Sequence, residues 1–244
     1  MVEDAATPSV SSLVEAELSV PVSFRLLADL PPGSNRDTPI VVALHGYAQD
    51  AAMIRDVARR LSPEGAILLV PEGPFSTLTP GTESEATKKI GFHWGVHPKA
   101  EWNRGVHRAA VYSAISWVLR SCGDADRVSL VAFSQPCSFN YRLALDPPHG
   151  RPFRAIVGIC GGLPGEWLGE NAMPEGTGAS KQTTVLHVST NDDPFYPAAK
   201  IEPYGRHLAA RFRSAEHRLY DGGHRIPSAA ADAIRTVLAA AAHA

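Results

Sequence analysis

At 244 residues, 44% of them hydrophobic, the chain suits one α/β domain with a sizeable core and is short for two. Its 23 basic residues nearly balance 25 acidic ones, which excludes a basic nucleic-acid surface and a solvated acidic arm as organising features. No apolar run approaches membrane-spanning length, and the three cysteines (Cys122, Cys137 and Cys160) have no metal-ligand spacing, so reduced thiols in a cytoplasmic protein are expected.

Residues 1–11 are small and polar and read as a flexible N-terminal tail without the charged and apolar regions of a signal peptide. Residues 12–244 read as one α/β domain. Two antiparallel strands are expected at 13–18 and 20–27, then a Pro/Gly-rich loop. The run 39–44 is apolar throughout, as in an interior parallel strand, and ends in His45-Gly46-Tyr47. Asp50 is placed to cap a helix whose apolar positions are Met53, Ile54, Val57, Ala58 and Leu61. A strand follows at 65–70.

Residues 75–105 hold Gly, Pro, Trp and His without periodicity and read as a long loop at the substrate-binding rim. The helical face Val111, Ala114, Ile115, Val118 and Leu119 predicts a helix over 106–119. Strands are expected at 128–133, 153–159, 183–189 and 215–220, with helices at 137–145, 198–212 and 229–242. Residues 161–182 form a second long rim loop. This alternation predicts a mostly parallel sheet with helices on both faces, whose ligands sit beyond the carboxyl ends of the strands.

The chemistry-bearing residues fall at those ends. Ser134 lies between a buried strand and a helix, the setting of a nucleophile elbow, although Ala132 and Pro136 replace the glycines of G-x-S-x-G. A serine hydroxyl needs a base and a group to orient that base. His224 and Asp193 supply them, in the order Ser134, Asp193, His224 used by α/β hydrolases. Asp192 is the alternative acid. Each residue also has an ordinary role, as helix cap, turn residue or loop histidine. Their joint placement at strand ends favours a triad.

Two other patterns compete. Gly158-Ile-Cys160-Gly-Gly matches the G-x-C-x-G of cysteine hydrolases, but the residues after it read as loop rather than helix. His93, His97 and Glu101 are spaced as metal ligands would be on one helix, but Gly95 and Pro98 argue against that helix. Trp94, Trp102 and Trp167, in the long loops, suit either an apolar acyl pocket or structural anchoring.

Leu44-His45-Gly46-Tyr47, Phe133-Ser134-Gln135, Asp193-Pro194-Phe195-Tyr196-Pro197 and Gly223-His224 together resemble the phospholipase/carboxylesterase family of α/β hydrolases, which includes acyl-protein thioesterases. The resemblance runs from about residue 39 to the end. It implies a small-molecule ester substrate, an oxyanion hole from the backbone N–H groups of Tyr47 and Gln135, and Cys160 at the edge of the substrate pocket. No cofactor, metal or nucleic acid is expected, and a homodimer is left open. The alternatives are a thioesterase or acyltransferase with the same triad, and a silent binding protein, prompted by Pro136. Proline disfavours helical backbone at Gln135, the residue meant to supply an oxyanion donor.

Overall fold

The structure is a computed structural model that describes residues 23–79, 89–95, 100–122, 124–147, 150–168 and 178–243. The expected strand at 13–18, the tail at 1–11, and His97 with the Glu101 side chain lie outside the described residues.

The apolar runs build a sheet of seven strands. In chain order the elements are β1 (Leu26–Asp29), β2 (Ile40–Leu44), α1 (Ala51–Leu61), β3 (Ile67–Pro71), β4 (Phe75–Leu78), β5 (Ile90–His93) and α2 (Ala100–Leu119). Then come β6 (Val128–Phe133), α3 (Cys137–Leu145), β7 (Ala155–Ile159), β8 (Thr184–Thr190), α4 (Ala198–Ile201), α5 (Tyr204–Ala209), β9 (Ser214–Tyr220) and α6 (Ala231–His243). The sheet order is β1-β3-β2-β6-β7-β8-β9, with β1 antiparallel to β3 and the other pairs parallel. This is the expected α/β architecture.

Because successive side chains on a strand point to opposite faces, β2 divides its residues between two cores. Ile40, Val42 and Leu44 pack with Val111, Ile115, Tyr141 and Leu208 from α2, α3 and α5. Val41 and Ala43 pack with Ile54, Ala58, Ile234 and Leu238 from α1 and α6. Strands buried on both faces carry no polar alternation, which explains the unbroken apolar runs. Helix α1 begins where its cap predicts, with Asp50 accepting from Met53 N at 2.8 Å.

Three expectations are corrected. Residues 75–105 are not one loop: β4 and β5 pair as an antiparallel hairpin, and α2 starts at Ala100, ahead of the expected 106. The expected helix over 198–212 is split into α4 and α5, with Pro203 capping the second. Met53 is 57% exposed, because α1 turns Ala51, Ile54, Ala58 and Leu61 inward and leaves it on the opposite side. Among the described residues no helix is long and apolar enough to cross a membrane.

Candidate active site

Ser134 follows the last residue of β6 directly and has φ 63°, the left-handed region that a non-glycine residue rarely occupies. Such a backbone costs about 1–3 kcal/mol and persists where the surroundings hold it. Here Ser134 N donates to Ile159 O at 2.8 Å, and Ser134 O accepts from Cys137 N at 3.2 Å. The elbow therefore forms without its two usual glycines. Ala132 is fully buried, and Pro136 sits at φ −74°, ψ −6° at the start of α3. There its missing N–H leaves no gap, and its carbonyl accepts from Asn140 N at 3.0 Å.

The close approach a glycine would provide comes from elsewhere. A β-carbon on Gly161 would lie 2.5 Å from Ser134 O and closer still to Cys137 Sγ. A β-carbon on Gly46 would lie 3.2 Å from that of Ser134. Neither glycine stands out in the sequence as part of the elbow, because each lies in another loop.

Asp193 and His224, the candidate acid and base, come from the loops after β8 and β9. The loops after β8 and β9 are laced together: Asn191 N donates to Tyr220 O at 3.0 Å, Asp192 N to Gly222 O at 3.0 Å and Asn191 Nδ2 to Asp221 Oδ1 at 2.9 Å. His224 Nε2 lies 2.8 Å from Ser134 Oγ, and Nδ1 lies 2.7 Å from Asp193 Oδ2. A carboxylate only accepts, so Nδ1 carries the proton of the neutral ring and Nε2 is left to accept from the serine. Asp193 is 3% exposed, and its other oxygen accepts from Phe195 N at 2.9 Å and Tyr196 N at 3.2 Å. It is Asp193, not the exposed Asp192, that meets His224.

The loop after β2 is braced from within. His45 is fully buried; its Nε2 accepts from Gly73 N at 2.9 Å, so Nδ1 donates to Gly46 O at 2.8 Å. Burial holds its pKa below the ordinary histidine value. Gly46 N donates to Gln49 Oε1 at 2.9 Å. The Gln135 side chain fastens the elbow to the end of the hairpin, accepting from Trp94 N at 2.9 Å and donating to Gly95 O at 2.6 Å.

Ser134 and His224 open on a cleft of about 420 Å³ walled by Tyr47, Ala48, Gln49, Phe133, Phe195 and Tyr196. The imidazole is boxed by aromatic rings, with centroid separations of 5.0 Å to Phe133, 4.8 Å to Phe195 and 6.0 Å to Tyr196.

None of the four residues expected at the substrate pocket forms this wall. Trp94 is fully buried and donates from Nε1 to His45 O at 2.9 Å, an anchor beneath the loop after β2. Trp167 is also buried, among Tyr141 and Phe212. Trp102 is half exposed and packs on Phe75 of the hairpin. Cys160 directly follows β7, has φ 47° and is 1% exposed. Burial pushes its thiol pKa up, and the charge of Asp193 adds to the rise. A nucleophilic cysteine needs the opposite. His93 packs between Tyr47 and Phe75, and among the described residues no group of His, Cys, Asp and Glu side chains is arranged to hold a metal. Phe195, Tyr196 and Gln49 were not singled out as pocket residues. For the first two, the signal was their position directly after Asp193-Pro194.

Known proteins share this architecture. The chain superposes on esterase PE8 with a TM-score of 0.66 at 22% identity, covering 91% of this chain and 99% of that one. It superposes on a Bacillus cereus carboxylesterase with a TM-score of 0.63 at 12% identity, covering 89% and 94%. For Zea mays acyl-protein thioesterase 2 the TM-score is 0.62 at 16% identity, covering 89% and 99%. At such identities the likeness is one of fold. In sequence, a protein described as a putative carboxymethylenebutenolidase from Salmonella typhi is 24% identical over 196 residues, 80% of this chain and 70% of that protein. The family model described as "Serine hydrolase (FSH1)" matches residues 36–235. That match spans Ser134, Asp193 and His224 alike, and the chain belongs to the FSH1 family of serine hydrolases.

Proposed function

We propose that this serine hydrolase cleaves carboxylic esters through an acyl-enzyme, with Ser134 as nucleophile, His224 as general base and acid, and Asp193 as the group that orients His224. The observation that carries the reading is the unbroken chain Ser134 Oγ to His224 Nε2 at 2.8 Å and His224 Nδ1 to Asp193 Oδ2 at 2.7 Å. Ser134 attacks the ester carbonyl as His224 takes its proton. The imidazolium is stabilised by Asp193 and returns the proton to the leaving alcohol. Water, activated by the same histidine, then releases the acid.

The developing oxyanion is assigned to the N–H groups of Tyr47 and Gln135. Gly46 N–H is engaged by Gln49, so Tyr47 is the donor we choose after β2. One such donor is worth about 10²–10³ in kcat. The clamp on the Gln135 side chain supports a fixed donor at that residue despite Pro136. The cleft, of about 420 Å³ with aromatic walls, favours short acyl or aryl groups.

A fluorophosphonate probe tests the reading. The expected result is one adduct, mapped to Ser134 and lost in His224→Ala. An adduct elsewhere, or none, would overturn it. Matched ester and thioester substrates, with and without added alcohol acceptors, then assign the leaving group and the acceptor.

A further inference from the structure

The turn that carries the candidate base is gripped from beneath. Gly223 O accepts from Arg225 N at 2.8 Å, which closes a three-residue γ-turn with His224 at its apex. The same carbonyl accepts from Thr190 Oγ1 at 2.9 Å. On the other side of the apex, Arg225 O accepts from Cys160 Sγ at 3.1 Å. The carbonyls of both residues flanking His224 are therefore held by side chains, one from the last residue of β8 and one from the residue just after β7. The two gripping atoms lie 3.7 Å apart, and both residues are buried. Cys160 reaches its carbonyl from a left-handed backbone, a conformation kept only where surroundings impose it.

We infer that Thr190 and Cys160 are positioning residues for His224, setting the height and tilt of the imidazole between Ser134 and Asp193. The inference rests on the triad proposed above. A γ-turn apex has no helix or strand of its own to fix the side chain it carries. His224 must nonetheless make two short hydrogen bonds at once, one at each ring nitrogen. A misplacement of about 1 Å in such a constellation costs on the order of 10² in rate. A hydroxyl is a stronger donor than a thiol, so Thr190 carries more of the effect.

The test separates positioning from packing. Thr190→Val keeps the side-chain shape and removes the donor, whereas Thr190→Ser keeps the donor and removes a methyl group. With p-nitrophenyl acetate, Thr190→Val is expected to lower kcat by about 10- to 100-fold with little change in KM, and Thr190→Ser to restore most of it. Cys160→Ala is expected to lower kcat less, with Cys160→Ser recovering it. This second pair gives the same reading if the valine variant does not fold. If Thr190→Val and Cys160→Ala keep the wild-type kcat, or if Ser is worse than Val at position 190, the inference is wrong. Fluorophosphonate mapping of the wild type keeps the two levels apart. A Ser134 adduct with unaffected variants removes only the inference. No Ser134 adduct in the wild type removes the triad and the inference together.

Discussion

Gly161 approaches the elbow so closely that a β-carbon on it would lie 2.5 Å from the carbonyl oxygen of Ser134. The oxygen belongs to backbone and cannot swing aside, so the two loops would have to part. Gly161→Ala is expected to destabilise the fold by about 1–3 kcal/mol, as overpacking does, and to slow fluorophosphonate labelling of Ser134. Gly178, whose surroundings are open, is the control. Urea unfolding and labelling rates of the two alanine variants check this, and equal behaviour would contradict it.

Asp193→Asn retains an oxygen for Phe195 N and Tyr196 N, so the loop is expected to keep its shape. The new amide would donate to His224 Nδ1 and drive the ring proton onto Nε2, facing the serine hydroxyl. The wrong tautomer is expected to lower kcat by about 10⁴. Asp192→Asn touches neither bond and is expected to keep most of the activity. Steady-state kinetics of the pair decide which carboxylate serves.

The cleft wall offers a separate handle. Phe195 is 64% exposed yet lies 4.8 Å from the His224 ring, centroid to centroid. Phe195→Ala removes apolar contact with the substrate at little cost in stability, so KM for p-nitrophenyl butyrate is expected to rise more than kcat falls. In the wild type, kcat/KM is expected to be higher for acetate and butyrate esters than for palmitate. Faster turnover of the long chain would refute the assigned pocket.

Acid stability follows from two histidines remote from the cleft mouth. Burial lowers the pKa of His107 and of His187 from 6.5 to about 3. Both are neutral in the folded chain, while in the unfolded chain they take up protons below 6.5. The unfolded state then binds more protons, so stability rises with pH and is lost as the pH is lowered. The contribution is intact above pH 6.5 and declines as the pH is lowered toward 3. Urea midpoints at pH 7.5 and pH 5 measure it. Equal midpoints would contradict it.

Much of this was legible beforehand, for physical reasons. Doubly buried parallel strands leave unbroken apolar runs, so β2, β3, β6, β7 and β8 were visible. Asp50 was a readable cap because its side chain bonds a backbone N–H three residues on. The order of Ser134, Asp193 and His224 pointed to the arrangement whose geometry the loops supply. The hairpin escaped notice because β4 and β5 have four residues each, too few to set a period. Gly91, which reads as a breaker, is there because a β-carbon would collide with the carbonyl of Ala48. Trp94 and Trp167 were ambiguous because only the folded chain distinguishes an aromatic facing a cleft from one beneath it. Gly161 was silent, since its role depends on a contact with a residue distant in sequence.

The two halves of the site hang from different parts of the frame. Gln135 bolts the elbow to the β4–β5 hairpin, whereas Asp193 and His224 are laced to each other across the last two strands. Damage to either support should therefore leave a recognisable signature. A loosened hairpin would act first on the seat of Ser134, and a loosened rim first on the Asp193–His224 pair. The two supports still meet at one place, the end of β7, where Ile159 O takes the N–H of Ser134 and the next residue, Cys160, holds the turn under His224.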